Sequence, residues 1–221
     1  MLSTDAVLSK TFKKRKLVYT SFMSDKTLGA QADIAMWNYV KEKTGGAITV
    51  DWRFNGSLNS KSEQQSTVIE TGIADMGQWS AAYDPAKFPL GGIAQPLFIT
   101  DKPDLTSRAG YYIWDNHPEW KEKMTKNNLW LLTSYGVGPV QVAGRTDVIQ
   151  RKEDIMGKKY RATAFLGEAW AGLGGVPINV AGSEIYTAFS QGTVEGVILA
   201  LQHLDLFKIH ENATFVLGGT G

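Results

Sequence analysis

Hydrophobic positions along the chain recur in a fixed order: a short run with period two or a continuous apolar stretch, then a stripe at helical spacing, then another short run. Residues 17–22 (LVYTSF) read as a strand, and the polar turn at Ser24 and Asp25 opens a helix with Ala30, Ile34, Trp37 and Val40 on one face. Gly45 and Gly46 stop that helix. Ile48, Val50 and Trp52 alternate with Thr49 and Asp51 as a strand with one buried face. Ser60 with Glu63 forms a capping box for a helix that stops at Gly72, and residues 73–78 follow as a third strand.

The second half repeats the plan. Residues 158–163 read as a strand, 165–173 as a short helix ended by Gly174 and Gly175, and 176–180 as a strand. Ser183 as N-cap, Glu184 in the first turn and the stripe Ile185, Ala188, Phe189 predict a helix stopped near Gly192, with a buried strand over 194–199. Between the halves, Pro85, Pro89, Gly91, Gly92 and Pro96 mark 79–100 as an ordered surface loop, of the kind that often lines sites. Helices are predicted over 105–114 and 118–126, the second with Pro118 at its first position, and a strand over 129–135. Gly136, Gly138 and Pro139 then separate two β-like runs with no helix between them, a crossing between two lobes. Strand, helix, strand, helix, strand, twice over, is the grammar of an α/β protein.

Composition narrows the function classes. With 221 residues, 43% of them hydrophobic, the chain can bury one substantial core or two modest ones. Its 23 basic and 22 acidic residues are spread through the sequence and leave a net charge of +1, so it has no broad field for nucleic acid, which is not expected as a partner. No apolar run approaches the ~20 residues of a membrane helix, so the chain is expected to be soluble and not itself membrane-spanning. The absence of cysteine excludes disulfides, thiolate catalysis and thiolate metal sites. Residues 1–16, with basic residues at 13–16, contain no readable signal peptide and are expected to form a solvated tail.

The most informative stretch is 157–196, because it puts Arg161 where a strand gives way to a helix. A guanidinium and the free N–H groups at a helix start can face the same small anion. Taken alone, an arginine at a strand end is more often a surface ion-pair partner. Enzymatic readings find little support. His117, His203 and His210 are scattered; His203, His210 and Glu211 do not have metal-ligand spacing, and a structural role is expected for them. Gly136-Val-Gly138 begins like a dinucleotide fingerprint, but Gln141 stands where the third glycine belongs. Glu63, Asp75 and Asp84 form no recognisable acid/base pair, and no catalytic residue, metal site or cofactor is expected.

In order and spacing, GIADMG after a capped helix, DIMGKKYRA, GGVPINV, GSEIYTAFSQGTVEG and ENATFVLGG resemble the solute-binding subunit of tripartite ATP-independent periplasmic (TRAP) transporters, from about residue 17 to the end. The resemblance implies a periplasmic-binding-protein-like fold of type II: two α/β lobes with a ligand cleft between them. The first lobe would span 17–134 with a returning strand in 213–221, and the second 135–212. It further implies a periplasmic protein that captures a small organic acid and hands it to a TRAP membrane permease. The arginine of the family motif occupying KKYRA assigns the carboxylate to Arg161, with the ligand's body near Ser21, Phe22, Trp79, Ser80, Tyr83, Phe165 and Leu199. Some members carry a second basic residue in the strand entering the second lobe. Here YGVGPVQVAG has none, and Ile198, Leu199 and Ala200 are apolar, which points to an apolar or aromatic monocarboxylate. Relatives continue through a long helix where this sequence stops at GGTG, so it reads as truncated, with weak binding expected from an incomplete hinge. The alternatives are a small-molecule-binding α/β enzyme and a sensor module without a transport role.

Overall fold

The computed structural model describes residues 12–91, 100, 102–180 and 182–218. The chain divides into two compact units, Met1–Trp79 and Ser80–Gly221. In the first unit β1 (Arg15–Ser21) is the middle strand of three, parallel to β2 (Ile48–Arg53) on one side and to β3 (Met76–Gln78) on the other. The crossover from β1 to β2 is α1 (Leu28–Lys43), whose start is held by the Thr27 hydroxyl accepting the Ala30 N–H at 3.3 Å. The crossover from β2 to β3 is α2 (Gln65–Glu70), preceded by a 3-10 turn at Ser62–Gln64. The expected capping box on Ser60 is not what starts this helix. The Asn59 side chain accepts the Lys61 N–H at 2.9 Å, and the Gln65 amide donates back to the Asn59 carbonyl at 2.5 Å.

The second unit opens with a 3-10 turn, Ala81–Tyr83, followed by α3 (Pro103–Asn116) and α4 (Pro118–Lys126). Its sheet has the order β6-β5-β7-β4-β8. These strands are β4 (Val140–Gly144), β5 (Lys159–Arg161), β6 (Val176–Ile178), β7 (Gly196–Ala200) and β8 (Phe215–Leu217). β5 runs parallel to β6 and β7, whereas β4 is antiparallel to β7 and β8. The helices are α5 (Ala164–Gly172) between β5 and β6, α6 (Ile185–Ser190) before β7, and α7 (Leu201–Leu206) directly after it. Side chains alternate across the sheet. Tyr160, Ala162 and Ile198 pack with Trp170 of α5 on one face, and Ala143, Val197 and Leu199 pack with Ile185, Phe189 and Leu204 of α6 and α7 on the other.

Three expectations are corrected. Strand β8 joins the same sheet as β4 to β7, not a sheet of the first unit. The division between the units falls at Trp79 and Ser80 and not at residues 134 and 135. Residues 129–135 form no strand, because Trp130 and Leu132 are exposed and the segment has no ladder partner among the described residues. Arg145, which follows β4, is structural: its Nη1 donates to the carbonyls of Phe189 and Ser190, at 2.8 and 2.9 Å, and so closes the C-terminus of α6.

Candidate functional site

Arg161 ends β5, the strand flanked by β6 and β7, and its register partners are Ile178 and Val197. Its neighbours Tyr160 and Ala162 belong to the cluster under α5, so by strand alternation Arg161 lies on the face of Val197 and Leu199. It is only 8% exposed. Its Nε donates to the Val180 carbonyl at 3.3 Å. That is the guanidinium's one hydrogen bond among the described residues, and no carboxylate there lies within ion-pair distance. Burial pulls its pKa down, and the phenol of Tyr83 acts in the opposite sense. An arginine nonetheless stays charged at any working pH. The other four N–H donors of Arg161 have no hydrogen-bond partner among the described residues, an arrangement that an incoming anion would satisfy.

Two features extend the site within this unit. The 3-10 turn Ala81–Tyr83 packs against α5 and carries Tyr83 into the electrostatic range of Arg161. The turn is started by Ser80, whose hydroxyl oxygen accepts the Ala82 N–H at 3.4 Å. Helix α5 begins two residues after β5, and Thr163 places no side-chain cap on its first turn. Phe165, in that turn, is 43% exposed and available for contact. Leu199, by contrast, is packed in the apolar core beneath α6 and α7.

The remaining residues singled out in the sequence belong to the first unit. Ser21, at the end of β1, is fully buried; its hydroxyl donates to Gln78 and accepts the Met23 N–H, both at 3.0 Å. Phe22 and Trp79 are half-buried at the ends of β1 and β3. The sequence pointed to a structural role for His203 and carried no sign of a link to Arg161. His203 stands three residues beyond β7, half-buried against Phe207, and the positive charge of Arg161 reaches it. Its spacing to the other histidines carried no signal, and only the pairing of β5 with β7 brings it near the arginine. Among the described residues no group of His, Asp and Glu is placed to hold a metal ion, and no helix is long and apolar enough to cross a membrane.

The chain matches solved structures over 90% or more of its length. A marine metagenome TRAP solute binding protein specific for aromatic acid ligands, in complex with 3-hydroxybenzoate, superposes with a TM-score of 0.83 at 22% identity over 95% of this chain and 65% of that one. A TRAP solute binding protein from Rhodoferax ferrireducens T118, in complex with copurified benzoate, gives 0.81 at 21% identity over 92% and 62%. A TRAP periplasmic solute binding protein from Bordetella bronchiseptica with bound mandelate gives 0.80 at 20% identity over 91% and 64%. The chain thus spans less than two thirds of the length of these proteins. At such identities the likeness shows the fold, the α/β architecture of TRAP periplasmic binding proteins. No curated protein matches. Residues 20–217 match the DctP family, and the chain belongs to these bacterial extracellular solute-binding proteins, family 7.

Proposed function

We propose that this protein is a periplasmic solute-binding protein that captures a small organic acid through Arg161 and delivers it to a TRAP membrane permease, without catalysing a reaction. The observation that carries this reading is the largely buried Arg161, whose guanidinium makes one hydrogen bond, from Nε, among the described residues. The arginine fork matches both oxygens of a carboxylate, and a hydrogen bond to a charged group is worth about 1.5–3 kcal/mol. Two such bonds supply much of the roughly 8 kcal/mol behind micromolar affinity, and burial of the ligand's body supplies the rest. Tyr83, Ser80 and Phe165 are the proposed contacts in the same unit; Ser21, Phe22 and Trp79 are proposed on the sequence resemblance, with Leu199 contributing through packing.

The proposed ligand class is a monocarboxylate with an apolar or aromatic body. Supporting this are the apolar Ile198–Ala200 segment and the benzoate, 3-hydroxybenzoate and mandelate held by similarly folded proteins. A thermal-shift panel of benzoate, 3-hydroxybenzoate, pyroglutamate and galacturonate tests the reading. A ligand at 100 times its dissociation constant adds ~2.7 kcal/mol to stability, a shift of several degrees for a domain of this size. Stabilisation by at least one acid, strongest for the aromatic ones, is expected; a flat response to all four overturns the proposal.

A further inference from the structure

His203 follows β7, the strand that pairs with the strand of Arg161, and the positive charge of Arg161 bears on it. Val197 of β7 is the register partner of Arg161, and α7 leaves the end of β7, so three residues separate Ala200 from the imidazole. The ring is half-buried, lies 6.0 Å from the ring of Phe207, and neither nitrogen has a hydrogen-bond partner among the described residues. The elements packed on α7 are β4, β7 and the 3-10 turn Ile209–Glu211. Strands β4 and β7 contribute no titratable side chain. The nearby charges on α7 and the turn are engaged elsewhere: Asp205 lies 3.8 Å from His210, and Glu211 accepts the Tyr186 hydroxyl at 2.8 Å and lies 3.8 Å from Lys208. Among the described residues Arg161 is the charge that bears on His203.

We propose that His203 supplies the second contact to the carboxylate held by Arg161, and that binding of the acid is accompanied by uptake of a proton on its imidazole. The inference rests on the reading of Arg161 as the carboxylate contact. Without ligand, burial and then the positive field of Arg161 both hold the imidazole below its ordinary pKa, so it is neutral at pH 7. An anion placed against the guanidinium cancels that field and offers an acceptor, so the protonated imidazole becomes the favoured form. The sign follows: the pKa of His203 is higher in the complex, the gain in affinity is complete below the pKa of the free protein, and it is lost as pH rises through the pKa of the complex. Each unit of that rise corresponds to a roughly tenfold gain in affinity between the two limits.

The test is isothermal titration of the 221-residue chain with benzoate, 3-hydroxybenzoate, pyroglutamate and galacturonate at pH 5.5 and pH 8. Each titration at one pH is run in two buffers of different ionisation enthalpy, so that proton uptake is read directly in the unmodified protein. The expected result is uptake of a fraction of a proton and an affinity about tenfold higher at pH 5.5. His203→Gln loses both the uptake and the pH dependence, whereas His210→Gln, on the exposed turn, keeps them. An acid that binds without uptake, or uptake that persists in His203→Gln, overturns the role of His203 and leaves Arg161 as the carboxylate contact. If none of the four acids binds at either pH, the binding function itself fails, and this inference fails with it.

Discussion

Glu195 and Lys159 exchange two hydrogen bonds: the Glu195 N–H donates to the Lys159 carbonyl at 2.7 Å, and the Lys159 N–H donates to the Glu195 carboxylate at 2.8 Å. Asp75 and Val18 make the same ring in the first unit, at 2.9 and 2.7 Å. Both acids sit three residues after a left-handed glycine, Gly72 or Gly192, that ends a helix. In both, the residue before the acid bonds back into that helix, Ala74 to Val68 and Val194 to Ala188. The carboxylate thereby supplies the acceptor that is missing where the parallel pairing begins, at Lys159 of β5 and just before Tyr19 of β1. This repeated device explains GIAD and GTVE as the counterparts of one turn in the two halves.

Because Glu195 anchors the strand that ends in Arg161, its loss should weaken the site's support. Its carboxylate is also 3.3 Å from the Lys158 ammonium, but it is partly exposed, so the ion pair adds little. Glu195→Ala is expected to cost about 1 kcal/mol, a fall of roughly 2–4 °C in the thermal midpoint, and Glu195→Gln, which retains an acceptor, less than half of that. Equal losses in the two variants would show that charge and not the backbone bond is what matters.

Arg161 predicts a trade of stability for binding. Replacing it with Met removes a buried cation that has no counter-ion among the described residues, so the ligand-free protein should melt no lower than the parent, and by the precedent of buried ionic groups higher. The same variant should lose carboxylate binding by about 1.5–3 kcal/mol for each charge-assisted bond. Arg161→Lys should recover charge but not the fork, with intermediate affinity. Calorimetric melting and titration of the three proteins separate these effects; a strongly destabilised Arg161→Met would mean that the guanidinium holds the fold together.

Asp33 on α1 makes the first unit sensitive to pH. It accepts the Tyr19 hydroxyl at 2.6 Å, and Tyr19 packs against Trp52 and Phe54 with ring centroids at 4.9 and 5.4 Å. Burial raises the carboxyl above its usual pKa, and the tyrosine hydrogen bond opposes that rise. The folded state therefore holds the proton more tightly than the unfolded chain. This contribution to stability is full below the ordinary carboxyl pKa and is lost as pH rises towards the raised value. Tyr19→Phe removes the opposing bond, so the loss should extend to higher pH, and the variant should cost about 1.5–3 kcal/mol at pH 7 but less at pH 4. Denaturant unfolding of both proteins across pH 3.5–7 checks the sign; a cost independent of pH would refute it.

How far the sequence could be read depended on what each feature required. Helix α4 is found over the predicted 118–126, because Pro118 and the following stripe are local signals. LWLLTSY is as apolar as a strand, but a strand needs a neighbour with free ladder positions, and local composition carries no information on that. For the same reason FVL was legible as β8 but its partner β4 was not. The place of Arg161 at a strand end was legible in the sequence, whereas the link of His203 to it depends on pairing between distant strands.

Tyr160 offers the last prediction, since its ring and its hydroxyl should respond in opposite ways. The side chain is fully buried, and its ring stacks on Trp170 with centroids 4.4 Å apart. Its register partner is Gly196, where a Cβ would fall inside the Tyr160 ring and 2.6 Å from the Ala143 carbonyl. Glycine is thus required there by close approach, and Gly196→Ala should cost about 1–3 kcal/mol through overpacking of β7 against β5. The hydroxyl has no hydrogen-bond partner among the described residues, and burial drives its pKa far up. An unsatisfied buried hydroxyl costs about 1–3 kcal/mol, so Tyr160→Phe, which keeps the ring, should be neutral or stabilising by up to that amount. Equilibrium unfolding of the two variants beside the parent decides the matter: a clear loss in Tyr160→Phe would reveal a bound water or other partner for the phenol, and tolerance of Gly196→Ala would mean that the strands can separate to admit a methyl group.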